Sequence, residues 1–270
     1  MKYDNYLRNH VIVPGSENAL EEFLNQDYGK LKKHKRKNSA SSHSEDALTW
    51  SCFDVLRNLS HESKIKALNE IMEDAYQGKN VCRFSDEIHS AGQIEIHIGE
   101  TYEGVKTHEK TEVDASIETP NELIFFEAKL YSPLSLADPD NPDTSKRKSH
   151  DQIARKLRVG MDCRLQRDFY FIFLDIAPRE MLYRKKGKAR AENLKKHGFQ
   201  GKWKSAYWFS RYKLGHRKSL TPLRKILEGI DDVEPIEIIA QRMGWLTWSN
   251  LYKSILRGLV STTGFTAKNN

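Results

Sequence analysis

The stretch TEVDASIETPNELIFFEAKL, residues 111–130, sets Asp114 in one apolar run and Glu127 and Lys129 at the end of the next. Side chains alternate along a strand. Glu127 and Lys129 therefore share a face with Leu123 and Phe125, while Ile124, Phe126 and Ala128 take the other. Both faces stay apolar up to Glu127, the pattern of a central strand covered on both sides. On the preceding run Glu112 and Asp114 share a face. Thr119-Pro120-Asn121 breaks the pattern and predicts a turn. An unbulged hairpin about that turn sets Asp114 opposite residue 126 or 127. Two carboxylates and an ammonium then meet at one sheet edge, a burial that is costly unless compensated. Mg²⁺ would compensate, because a hard cation prefers carboxylate oxygens and keeps several waters, with Mn²⁺ able to take its place. Lys129 would hold an attacking water or balance charge on a phosphate. The chemistry is metal-assisted hydrolysis; the competing reading is a structural ion pair at a strand end.

The elements that must position these groups follow from periodicity. Residues 15–28 predict an amphipathic helix with Ser16 as N-cap and Leu20, Phe23 and Leu24 as its stripe. Residues 44–59 predict a second helix, on which Leu48, Cys52, Val55, Leu56 and Leu59 recur at helical spacing, and 61–77 a third. QIEIHIGETYEG reads as a strand turning at Gly99 to Gly104, followed by the two strands above, a three-strand meander. After a Pro- and Asp-rich loop come a helix over Asp151–Arg164 and the buried strand DFYFIFLDIA. AYWFSRY suggests a further strand, and helices are expected near 220–229, 234–243 and 247–259. The fold class is α/β (α+β), a central mixed β-sheet flanked by helices with a helical C-terminal extension. The expected divisions are an N-terminal helix and basic arm over 1–43, a core over 44–215, and a helical subdomain over 216–270.

An acid-bearing helix, then D-x₁₂-E-x-K on adjacent strands, resembles the PD-(D/E)XK nuclease superfamily, the restriction-endonuclease-like phosphodiesterases. The resemblance covers about residues 44–175, with Val113 where the name-giving motif has Pro. It implies that Asp114 and Glu127 bind Mg²⁺ and that Lys129 assists the water nucleophile. It also implies that Glu45 on the preceding helix completes the metal shell and that Gln152 on the following helix joins the site. Glu45 has a second explanation, because SHSE from Ser42 to Glu45 reads as a capping box. Glu112 reads as an outer salt-bridge partner.

Lys and Arg number 44 against 37 Asp and Glu, a formal net charge of +7, which points to an anionic partner. Six of the eight residues from Lys30 to Lys37 are Lys or Arg. This run is either a solvated arm or a phosphate-contacting one, in which Lys32, Lys33, Lys35, Arg36 and Lys37 bind nucleic acid. A second basic block supplies Arg184, Lys185, Lys186 and Lys188. The expected partner is duplex DNA, and a homodimer would suit double-strand scission. Three dispersed cysteines fit a reducing cytoplasm, and neither a signal peptide nor a membrane span is expected. HExxH, phosphate-loop and G-x-S-x-G motifs are missing, which argues against zinc proteases, nucleotide-driven motors and serine hydrolases. The expected activity is endonucleolytic cleavage of DNA, in a defence or restriction setting by family analogy. The alternatives are RNA cleavage on the same core, or a non-catalytic regulator whose residues 236–259 form a helix-turn-helix. A helical hairpin anchored on the core by Trp245, Trp248 and Leu251 competes with that last reading.

Overall fold

A computed structural model describes residues 2–26, 34–90, 92–130, 150–176 and 223–262. Five strands form one sheet in sequence order: β1 (Glu95–Glu103), β2 (Lys110–Glu118), β3 (Glu122–Ala128), β4 (Asp168–Asp175) and β5 (Met243–Thr247). The first three make the antiparallel meander read from the sequence. β4 and β5 then add in parallel. Among the described residues the α-helices are α1 (Glu17–Asn25), α2 (His34–Ser39), α3 (Glu45–Arg57), α4 (His61–Tyr76), α5 (Gln152–Cys163), α6 (Leu223–Ile226), α7 (Ile236–Gln241) and α8 (Trp248–Thr262). The class is α/β, a mixed sheet with helices on both faces.

The alternation along β3 divides the core as expected. Ile124, Phe126 and Ala128 pack with residues of α1, α3, α4 and α8, and Phe53 of α3 meets Phe126 edge-on at 4.9 Å. Leu123 and Phe125 pack on the other face with Ile153 and Leu157 of α5 and residues of α6 and α7. Gly160 lets α5 lie close on β4, since a Cβ there would run into the Phe169 ring. The stripe of α1 (Leu20, Phe23, Leu24) is buried in the first cluster, although Ser16 makes no side-chain cap.

Three expectations are corrected. Gly99, with φ +69°, lies inside β1 rather than opening a turn, and the chain reverses at Gly104–Glu109, where the Gly104 N–H reaches the Glu109 carbonyl. Met243–Thr247, expected as part of a helical C-terminal subdomain, is a strand buried throughout and paired with β4. A five-residue apolar run is too short for its period to separate strand from helix. The buried Tyr76 hydroxyl of α4 donates to the Arg242 carbonyl at 2.7 Å, which ties this segment to the main core. A strand in place of the inter-helix turn removes the helix-turn-helix reading, while Trp245, Trp248 and Leu251 are buried anchors. The third correction concerns residues 34–43. They are not a solvated arm: they form α2 and a following turn held to the N-terminus by a Lys2–Ser41 bridge and by Asn9, whose Nδ2 donates to the Ser39 and Ser41 carbonyls. Among the described residues no helix is long and apolar enough to cross a membrane. The expected strand at AYWFSRY and the block around 184–204 lie outside the described residues.

Candidate active site

The site is built at the carboxyl end of β3. Register pairs Ala115 with Phe126, and continuing it places Asp114 opposite Glu127. The backbone ladder stops there because Asp114 Oδ2 accepts the Ala128 N–H at 2.7 Å, so a carboxylate replaces a strand carbonyl. Glu127 lies on the α5 face and is 0 % exposed. Its Oε1 stands 2.6 Å from the Lys129 ammonium, and its Oε2 touches the Lys156 ammonium. Two ammonium groups, one on each oxygen, thus hold the buried Glu127 carboxylate.

Helix α3 delivers the third acid. Its N-cap is Ser44, whose Oγ accepts the Ala47 N–H at 3.1 Å, and not Ser42. Glu45 is therefore the first helical residue rather than the third, which removes the capping-box explanation. Its carboxylate instead accepts the Leu130 N–H and stands 3.4 Å from the Lys129 ammonium. Lys129 is pinned from several sides. Its N–H donates to the Leu174 carbonyl of β4 at 2.8 Å, its ammonium to the Ala128 carbonyl at 2.9 Å, and its own carbonyl accepts Trp248 Nε1–H at 3.0 Å.

Lys156, one turn into α5, also lies 3.4 Å from Asp114 Oδ2. Charges thus alternate along one chain of contacts: Glu45, Lys129, Glu127, Lys156, Asp114. Burial and the Asp114 charge push the Glu127 carboxyl above its ordinary range, against the two ammonium groups. Burial works the same way on Asp114, but Lys156, Lys129 and the Ala128 N–H outweigh it and hold that carboxyl low. Burial opposes charge on Lys129 and Lys156 too, yet the surrounding carboxylates keep both ammonium groups above their ordinary range.

This chain of contacts borders a cleft of ≈ 580 Å³, lined by Asp114, Lys129, Glu45, Lys156 and Gln152 together with α2 and the turn after it. Gln152 is the first residue of α5 and stands in the cleft wall. Among the described residues no three His, Cys, Asp or Glu side chains are gathered to hold a metal ion. The space between the acids is taken by the two ammonium groups.

The basic residues are placed less uniformly than their run suggests. Lys35 is 4 % exposed, over the Phe23 ring and 2.7 Å from Glu112, so the expectation of a phosphate-contacting side chain there is corrected. Arg36 pairs with Glu21 and lies over the Tyr6 ring. Lys37 is exposed and lines the cleft, as do Lys2, His34 and His43. Lys32, Lys33, Arg184, Lys185, Lys186 and Lys188 lie outside the described residues.

Two site residues escape the sequence reading. Lys156 interrupts the apolar stripe of Ile153, Leu157 and Gly160, and a lysine in a buried stripe is the signal that could have found it. Asp46, in the cleft wall, resembles an ordinary first-turn helix acid in sequence. Burial and the negative charge of Asp114 raise its carboxyl to about 6, with Lys35 and an Asn38 hydrogen bond opposing. Family models, curated proteins and solved structures were compared with the chain, and none matches.

Proposed function

We propose that this chain is a Mg²⁺-dependent phosphodiesterase of the restriction-endonuclease-like kind, cutting DNA. The observation that carries the reading is the convergence of carboxylates from β2, β3 and α3 on two shared ammonium groups, with Asp114 and Glu45 in the cleft wall and Glu127 buried behind it. A purely structural pair at a strand end needs one acid and one base. This site shares two ammonium groups among three acids, with Glu127 fully buried and Asp114 and Glu45 partly exposed. The order of an acid-bearing helix, a meander, a helix and a parallel strand supports the same reading.

The donors suit the metal in kind. Asp114 and Glu127 are hard oxygen donors that already share one cationic group, the Lys156 ammonium. They would hold Mg²⁺, with Glu45 beside them, and the ion would supply Lewis-acid activation of the phosphoryl group and of a water. The Lys129 ammonium, fixed by the Ala128 carbonyl and lining the cleft, would exchange its long 3.4 Å contact to Glu45 for a hydrogen bond that orients the attacking water. Lys37 and Lys2 at the cleft, with the +7 net charge, suit a polyanionic strand.

Supercoiled plasmid and a single-stranded RNA are incubated with wild type, Asp114→Asn and Lys129→Met, in Mg²⁺ and in EDTA. Wild type should cleave the plasmid in Mg²⁺ only, and each variant should lose about 100-fold or more. Cleavage in EDTA, or undiminished cleavage by both variants, removes the assignment. RNA cut in preference to DNA would move the substrate and keep the site.

A further inference from the structure

We propose that Lys156 is a tethered counter-ion shared by Asp114 and Glu127, which must withdraw into the cleft before those carboxylates can hold a divalent cation. Its release toward a bound anion would then couple metal binding to substrate binding. The proposal rests on the phosphodiesterase reading for the identities of the metal and the anion.

The two lysines are not equivalent. Lys129 is held by its ammonium, its amide and its carbonyl, and it also faces Glu45. Among the described residues, the Lys156 ammonium meets two carboxylates, Asp114 Oδ2 at 3.4 Å and Glu127 Oε2. Its backbone is fixed in α5, which is capped by Asp151 through the Ile153 and Ala154 N–H groups, each at 3.0 Å. Its four-carbon stem can still carry the ammonium into the cleft it lines, without moving the helix.

Cation exchange follows from charge. With both ammonium groups in place, the oxygens of Glu127 and Asp114 are already occupied by cations, which would repel a divalent ion brought to the same carboxylates. Once Lys156 withdraws, the same acids favour the ion strongly. The ammonium then points into the cleft, where a phosphate can accept it. An anion that stabilises the withdrawn lysine therefore tightens metal binding, and by reciprocity the metal tightens anion binding to the same extent.

The test is Mn²⁺ binding to the full chain by calorimetry at neutral pH, with and without inorganic phosphate. Wild type should bind Mn²⁺ weakly, and phosphate should tighten it by about tenfold. Lys156→Met should bind Mn²⁺ at least about tenfold more tightly than wild type, with phosphate adding little. Lys156→Arg keeps a cation and should retain weak binding. Should Lys156→Met fail to fold, Lys156→Gln, which keeps a hydrogen-bond donor, takes its place. Should neither fold, wild type decides: Mn²⁺ and phosphate binding independently would overturn the proposal. So would Mn²⁺ affinity in the neutral variants at or below that of wild type, or no Mn²⁺ binding by any protein. Tighter Mn²⁺ binding in Lys156→Met, together with a wild type that cleaves no nucleic acid, would sink the hydrolase reading and leave the counter-ion standing.

Discussion

Lys129→Met keeps most of the buried stem and deletes the charge that faces Glu127. Glu127 is 0 % exposed, and its Oε1 sits 2.6 Å from the Lys129 ammonium. Removing one partner of a buried ion pair costs about 3–5 kcal/mol, because the other charge is left uncompensated. Lys156 still touches the second Glu127 oxygen, which puts the expectation at the low end, about 3 kcal/mol. With a urea slope of about 3 kcal/mol/M, reasonable for a chain of this size, the unfolding midpoint should fall by roughly 1 M. Glu127→Gln breaks the same pair from the other side. It leaves Lys129 beside Glu45 and Lys156 beside Asp114, so charges balance, and the cost should be nearer about 1 kcal/mol. The double variant then closes a cycle with a coupling of at least about 1 kcal/mol. The assay is equilibrium urea unfolding followed by tryptophan fluorescence in EDTA, so that no divalent ion replaces the lost ammonium. If Lys129→Met unfolds at the wild-type midpoint, Glu127 carries no charge that Lys129 balances, and the ionic account of the site is wrong.

Asp46→Asn tests the cleft wall. An acid raised from 3.8 to about 6 binds its proton more tightly in the folded state, so the group's favourable contribution is full below about pH 4 and is lost as pH rises through 6. The variant should therefore be more stable than wild type at pH 8, by up to about 2–3 kcal/mol, with the advantage gone near pH 4; urea midpoints across that range check it. Gly99→Ala places a Cβ against the Phe23 ring and the Lys35 ammonium at a φ of +69°, and should lower stability by about 2–3 kcal/mol, read as a fall in Tm. A chain ending at residue 235 loses α7, β5 and α8, uncovering β4 and one face of α4, and should show no cooperative thermal transition by circular dichroism. A sharp melt like that of the full chain would mean that the C-terminal segment is a separate unit.

The acids on β2 and β3 were legible in sequence because strand alternation and hairpin register are local rules. Counting from the Pro120 turn was enough to bring Asp114 to Glu127. The partners of Lys156 were not legible, since its place in a buried stripe marks it as unusual but nothing local says that it meets carboxylates from β2 and β3. The basic run misled in the same way. Lys35 turns inward because Glu112 lies 2.7 Å away on β2, a partner 77 positions along the chain.

Patterning alone determined the class of fold, the meander, the two-sided burial of β3 and the end of the sheet where its charges emerge. Each depends on a period of two or of 3.6 residues, which a linear sequence carries in full. Tertiary structure decided which cations face those acids, that Glu45 reaches Leu130 instead of capping its own helix, and that Met243–Thr247 is a strand. Such outcomes follow from electrostatic and edge pairing between segments far apart in sequence, where every candidate partner looks equivalent until the chain has packed.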